Sequence, residues 1–352
     1  MLIPIQGRLA LGLAAGLILA APLRATAADL TTAVFISPIG EVLKTQVIEP
    51  FAKQNKLDVA VDNRDWGLGA VRAKIEAGNS AWDVVSLEEV EALQACDEGL
   101  FQPLDRSKLT NLPDFDAIGE GYNCGVPIYF YSSVLAYDKK RIKEEPTSWA
   151  DLWDLKKWPG KRAMHRSVSG TLEIALMADG VPRNEVYKVL ATKDGVDRAF
   201  RKLDAIKSSV VWWQNPGQSR QMLASGEVAL AVTYDNGIRF FNKTQGTDFG
   251  LVRKDAIVHV DFWGIVQGSK HVDKAYAFLN DAMGPQKQAA VTNGLAISTP
   301  NRKAMDLVDA DLRPFLTPNP ENLKEAISLD AKFWLDNTDA LTQRFEAWLA
   351  SK

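Results

Sequence analysis

Cysteine is scarce in this chain: of 352 residues only Cys96 and Cys124 carry sulfhydryl sulfur. They show neither the C-x-x-C spacing of a redox site nor the cysteine–histidine grouping of a structural zinc. In an oxidising compartment an isolated pair favours a disulfide, the alternative being two free buried thiols. Histidine is nearly as rare. His165, His259 and His271 have no metal-ligand spacing, and neither H-E-x-x-H nor G-x-S-x-G occurs, so the marks of zinc proteases and α/β-hydrolases are missing. No run of basic residues is present, and the formal charge of −3 becomes −5 without Arg8 and Arg24. That balance argues against nucleic acid and anionic membranes as partners. Beyond residue 27 no segment approaches the roughly 20 uninterrupted apolar residues of a membrane span. Internal repeats and low-complexity linkers are also absent.

What is present begins with a leader. Arg8 is followed by an apolar stretch from Leu9 to Ala21 and the small-x-small site Ala25-Thr26-Ala27, which reads as a secretory signal over residues 1–27. The chain is therefore expected to be exported, to the periplasm, with the leader removed. The remaining residues exceed what one core usually organises, so two lobes are expected.

Leu30 to Ile36 reads as a strand and Glu41 to Gln54 as an amphipathic helix that Pro50 is expected to kink or shorten. Leu57–Val61 and Trp82–Ser86 read as strands, with helices from Val71 to Ala77 and from Glu88 to Glu98. Strand and helix alternating at this spacing predict a parallel sheet with crossovers. Val126–Val134, with Tyr129, Phe130 and Tyr131 in succession, is a candidate crossing between lobes. Trp149, Trp153 and Trp158 fall in a stretch expected to pack at the surface. Helices are expected at 172–177, 186–190, 196–206, 273–283 and 339–350, and a strand at 256–266.

The segment from Val211 to Gly237 is the most informative. Two tryptophans end a strand, Asn215-Pro216-Gly217 breaks it, and a short helix closes on Ser225-Gly226. Val228 to Val232 then has the length of a buried strand and runs into Tyr234, Asp235 and Asn236. Ligands of open α/β sheets bind beyond the carboxyl ends of strands, which puts these polar and aromatic groups where a cleft would lie.

With Trp82-Asp83-Val84-Val85, Cys96-Asp97-Glu98-Gly99-Leu100, Thr147 to Leu152, Pro159 to Arg162, Thr171 to Leu176, Trp212 to Gly237, Phe333-Trp334 and Phe345 to Leu349, the chain resembles the periplasmic solute-binding proteins of ABC importers, within them the spermidine/putrescine-binding group. The resemblance covers nearly all of the chain after the leader. It implies a type II-like α/β fold of two lobes with hinge crossings and an interlobe cleft, acting as a monomer that docks on membrane permease subunits. Lobe 1 is expected over 28–132 with 261–300, and lobe 2 over 133–260 with 301–352. No cofactor, metal or catalysis is implied.

Polyamine binders of this group pair ammonium groups with carboxylates and box the methylenes between aromatic rings, and a buried cation does need such pairing. The acids expected to serve are Glu88, Glu173, Asp235 and Asp261; the aromatics are Trp66, Trp213, Tyr234, Phe262 and Trp263, with Ser37 beside them. His259 stands where related sequences place an aspartate, and Phe35-Ile36-Ser37-Pro38 lacks the aromatic–hydroxyl–acid pattern of the polyamine group. Arg166 before Ser167 and Ser169 suits a carboxylate, so an amino-acid-like zwitterion held by Arg166 is the alternative ligand. A ferric site would want clustered tyrosines, whereas Tyr129 and Tyr131 alternate around Phe130. The reading from another class is a carboxylate-dependent periplasmic hydrolase.

Overall fold

The structure is a computed structural model and describes residues 28–65, 67–76, 82–115, 123–313, 316 and 324–351. The leader and Trp66 lie outside the described residues.

The first lobe opens with β1 (Leu30–Phe35), α1 (Pro38–Leu43) and α2 (Glu49–Asn55). Ser37 starts α1 from an extended backbone, its Oγ accepting from the Gly40 amide at 3.2 Å. Between the two helices lies one wide turn, Lys44–Ile48, in which the Glu49 amide reaches back to the Lys44 carbonyl. Pro50 was expected to kink or end the helix. The widened turn lies just before the residue that cannot donate, and helix continues to Asn55. Next come β2 (Val59–Arg64), α3 (Gly69–Glu76), β3 (Val84–Glu88) and α4 (Glu89–Asp97). β1 pairs in parallel with both β2 and β3.

β4 (Gly125–Asp138) is long and leads into β5 (Lys161–His165), α5 (Thr171–Ala178), α6 (Val186–Leu190) and α7 (Lys193–Asp204). They are followed by β6 (Val210–Trp213), α8 (Pro216–Ser225), β7 (Val228–Tyr234) and α9 (Asp235–Gln245). Asn215 caps α8 by accepting from the Gly217 amide at 2.9 Å, and Gly226 ends it at φ +78, a backbone state that favours glycine. The chain returns through β8 (Phe249–Ile265), α10 (Val272–Ala282), α11 (Pro285–Leu295), β9 (Ile327–Ser328) and the long α12 (Ala331–Ala350).

β4 and β8 run antiparallel beside one another from Gly125↔Gly264 to Asp138↔Phe249. One end of β8 pairs with β3, and the far end of β4 pairs with β7. These two strands thus belong to both lobes and join them into one sheet of order β2-β1-β3-β8-β4-β7-β5-β6.

Alternation along the strands feeds a core on each face. In the first lobe Val34 and Trp263 pack with Phe51 and Phe278 on one side, while Ala33 and Phe262 pack with Leu87 and Phe101 on the other. In the second, Leu135 and Leu230 lie under Leu172, Leu176, Trp334 and Phe345, and Ala136 and Ala231 under Trp213, Leu223 and Ile238. Each large apolar side chain buried this way contributes about 1.5–3 kcal/mol. Trp149 and Trp158 belong to this second core rather than to the surface, and their indoles bond the carbonyls of Asp255 and Glu144.

Two details refine the sequence reading. Cys96 and Cys124 form a disulfide, tying the end of α4 to the chain entering β4. Ala304, Val308, Leu312 and Leu316 pack on Ala289 of α11, within a segment expected in the second lobe. The chain then reaches β9, which pairs with β8 through Ile327↔Ile257, and α12.

Candidate binding cleft

Strand direction decides where the polar groups gather. β1, β2 and β3 end at Phe35, Arg64 and Glu88, and the parallel trio β5, β6 and β7 ends at His165, Trp213 and Tyr234. Because β3 meets β8 at Asp261 and β7 meets β4 at Ser133, the two sets of carboxyl ends face each other. Tyr129, Tyr131, His259 and Asp261, on the central strands, form the floor between them.

The acidic end is built by register. Asp261 sits directly opposite Glu88 on one side and Tyr129 on the other. The Tyr129 hydroxyl donates to Asp261 Oδ2, while Oδ1 is buried with no partner among the described residues. Burial, followed by the charge of Glu91, pushes the Glu88 carboxyl up to about 7. Burial and then the Glu88 charge push Asp261 well above the usual carboxylate range. Two carboxyls this close and this dry cannot both ionise without a cation. Arg64 only partly offsets this: its charge favours the ionised Glu88 less than burial and Glu91 oppose it, since its Nη2 meets Glu91 Oε2 at 2.5 Å and its face lies 4.3 Å from the Phe35 ring.

The other end is aromatic. Tyr131 stacks on His259 at 5.0 Å, and Tyr234 meets Tyr131 edge-on at 5.0 Å. His165 stacks on Trp213 at 4.2 Å. Burial lowers His259 to about 3 and His165 to about 4, so both imidazoles are neutral near pH 7. His259 Nε2 lies 2.9 Å from Ser133 Oγ.

Of the residues singled out from sequence, Glu88, Asp261, Tyr234 and Trp213 come together here. Trp213 is fully buried, its indole donating to the Val232 carbonyl at 3.0 Å, so it backs His165 rather than facing the groove. Ser37 lies at the rim as the cap of α1. The others are engaged elsewhere. Asp235 accepts from the Ser132 amide at 3.0 Å and from Arg253 at 3.1 Å. Glu173 is buried inside the second lobe, bonded to the Tyr187 hydroxyl at 2.9 Å and the Trp334 indole at 2.7 Å. Trp263 packs against Phe278 in the first-lobe core. Arg166 stands on the surface, paired with Glu346 at 2.6 Å. Sequence reasoning gave no cleft role to Tyr129, Tyr131 or His165. The alternation of Tyr129 and Tyr131 was the available signal, but only the strand pairing with Asp261 and His259 shows its meaning.

Among the described residues no group of three or more metal-ligating side chains forms, and no helix is long and apolar enough to cross a membrane. The fold and cleft define a two-lobe solute receptor that surrounds a small molecule. A family model for bacterial extracellular solute-binding proteins matches residues 46–317, and the chain belongs to that family. The gamma-aminobutyric acid-binding protein of Pseudomonas aeruginosa is 34% identical over 335 residues, 95% of each chain. The putrescine/cadaverine-binding protein of the same organism is 24% identical over 88% of this chain and 92% of its own. The solved structure of the Atu4243-GABA receptor superposes with a TM-score of 0.84 at 28% identity, covering 92% of this chain and 98% of that one. The protein is thus a substrate-binding component of an ABC transporter and not an enzyme.

Proposed function

We propose that this chain is the periplasmic receptor of an ABC importer for a small ω-amino acid of the γ-aminobutyrate type, exported with residues 1–27 removed and delivering its ligand as a monomer to membrane permease subunits. The observation that carries the reading is the buried, unpartnered Oδ1 of Asp261 directly across the sheet from Glu88, whose carboxyl burial pushes up to about 7. A carboxyl pair held in that state accepts one ammonium group: the cation supplies the charge that lets the pair ionise. The rings of Tyr131 and Tyr234 would then line the methylenes.

A diamine would need a second acid at the far end of the groove. Asp235 is paired with Arg253 and a backbone amide; Glu173 has an unpartnered Oε2 of its own, but its Oε1 is held by Tyr187 and Trp334 inside the second lobe, and the far end holds neutral imidazoles. One acidic pole favours a monoamine over putrescine or spermidine. The 34% identity to a gamma-aminobutyric acid-binding protein, against 24% to a putrescine/cadaverine-binding protein, supports the same choice. The test is a calorimetric titration of ligand-free protein with γ-aminobutyrate, 5-aminovalerate, putrescine and spermidine. Binding of the amino acids at least tenfold tighter than the polyamines is expected; the reverse order would overturn the reading.

A further inference from the structure

An ω-amino acid brings a carboxylate as well as an ammonium, and a carboxylate leaving water needs its own partner. The arginines around the groove are mostly committed. Arg64 is ion-paired with Glu91 through Nη2 and packed on Phe35, its Nε and Nη1 buried without a hydrogen-bond partner among the described residues, Arg253 is paired with Asp235, and Arg166 with Glu346 outside the cleft. Arg220 differs. It lies on α8 and is partly buried, and burial alone holds its guanidinium below the usual value, with no acid acting to raise it. Among the described residues it makes no ion pair and no side-chain hydrogen bond.

Its position is set by local structure. α8 begins just past the carboxyl end of β6, so its first turns lie at the cleft, and helical side chains lean toward the helix start. Its neighbour Ser219 is anchored to Thr233 of β7 at 2.7 Å, fixing that turn of α8 on the sheet one residue before Tyr234. The guanidinium lies flat against Gly237 in the first turn of α9: a Cβ at that position would overlap Nη1 and Cζ and lie 2.9 Å from Nε. Gly237 is two residues past Asp235 and three past Tyr234, the ring that closes the aromatic floor. The guanidinium thus lies beside the first turn of α9, the turn that opens at Asp235 directly after Tyr234.

We propose that Arg220, seated on Gly237 at the entrance to α9, binds the carboxylate of the ligand and so selects an amino acid over an amine. This rests on the assignment of an ω-amino acid to the cleft and names its second pole. The guanidinium fork suits a carboxylate, and the apolar packing around it makes the pairing stronger than it would be in water.

Three probes separate the possibilities: γ-aminobutyrate, n-butylamine, which lacks the carboxylate, and putrescine, each titrated calorimetrically into the protein and into R220M, R220K and R166M. Loss of a buried charge-assisted contact predicts γ-aminobutyrate weakened on the order of 10- to 100-fold in R220M. R220K should recover part of the loss, R166M should match the parent, and n-butylamine should bind R220M and parent within about threefold. Equal binding of γ-aminobutyrate to parent and R220M overturns the proposal and leaves the ligand assignment standing. Equal weakening of both monoamines by R220M also overturns it, showing a structural role. A parent that binds putrescine but not γ-aminobutyrate sinks the ligand assignment and this inference together. Should R220M not fold, R220K and G237A carry the test. The Cβ of G237A displaces the guanidinium, and an unchanged preference for γ-aminobutyrate over n-butylamine in both variants would overturn the proposal.

Discussion

At the scale of single residues, the proposed acidic pole turns on the protonation of Glu88 and Asp261. Without ligand, burial keeps these carboxyls protonated further up the pH scale than free acids, Glu88 to about 7. An ammonium ligand binds the ionised pair and so competes with protons. Affinity for such a ligand should therefore rise as pH increases from 5 toward 8, with proton release on binding; His165 and His259, neutral across that window, do not oppose it. Calorimetry in two buffers of different ionisation enthalpy reads the released protons directly, and a pH-independent affinity would count against the acidic pole. Replacing either acid by its amide, E88Q or D261N, should weaken an ammonium ligand by about 1–3 kcal/mol.

Glu173 is another raised carboxyl, which the proposed site does not use. It too is pushed up to about 7 by burial, but its partners Tyr187 and Trp334 belong to its own lobe. An acid whose folded pKa lies above its unfolded value near 4.5 is protonated in the folded chain where the unfolded chain has lost the proton. Its contribution to stability is present below pH 4.5 and is lost as pH rises to about 7. The two lowered histidines act in the opposite sense, gaining stability as pH rises to about 6.5, so the clean readout is a difference. E173Q should gain melting temperature relative to the parent between pH 5 and 7.5 while its ligand affinity stays the same. Lost affinity would restore Glu173 to the binding site.

At the scale of elements, local patterns announced themselves and long-range pairings did not. The β1–α1–β2 succession, the Ser225-Gly226 helix end and the run into Tyr234 follow from periodicity and turn chemistry, which neighbouring residues determine. The acid pair depends on β3 and β8 lying in one register, and Tyr129 meets Asp261 across 132 residues. No window of sequence carries that. The same limit applies to Asp235: its position after a buried strand is local, whereas Arg253 reaches it only because β8 folds back beside β4. Ligand acids and structural acids share the strand-end position, and only their partners separate them. The disulfide also joins elements, holding α4 to the start of β4 across 28 residues of chain. Closing a loop of that length should stabilise by about 3–4 kcal/mol on the chain-entropy account. Reduction, or C96S with C124S, is expected to lower the urea midpoint accordingly while leaving ligand affinity near that of the parent, since neither sulfur lies in the cleft.

At the scale of the whole molecule, ligand affinity includes the cost of bringing two lobes together, so contacts between lobes away from the ligand should tune it. One such contact is visible. Arg239, on α9 of the second lobe, donates to the backbone carbonyl and the carboxylate of Asp311, and the segment carrying Asp311 packs through Leu312 on α11 of the first lobe. The pair spans the lobes without touching the acid pair or the aromatic floor. Asp311 is largely exposed, and ion pairs of that kind are worth about 0–1 kcal/mol. The expected effect is correspondingly modest and kinetic. R239M or D311N should speed ligand dissociation by roughly two- to fivefold, leave the preference among ligands unchanged, and enlarge the ligand-free radius of gyration in solution scattering. High salt should reproduce part of the effect in the parent and none in the variants. A change in ligand preference would place Arg239 in the binding site instead, whereas an unaltered dissociation rate would mean that the crossing strands β4 and β8 alone govern how the lobes open.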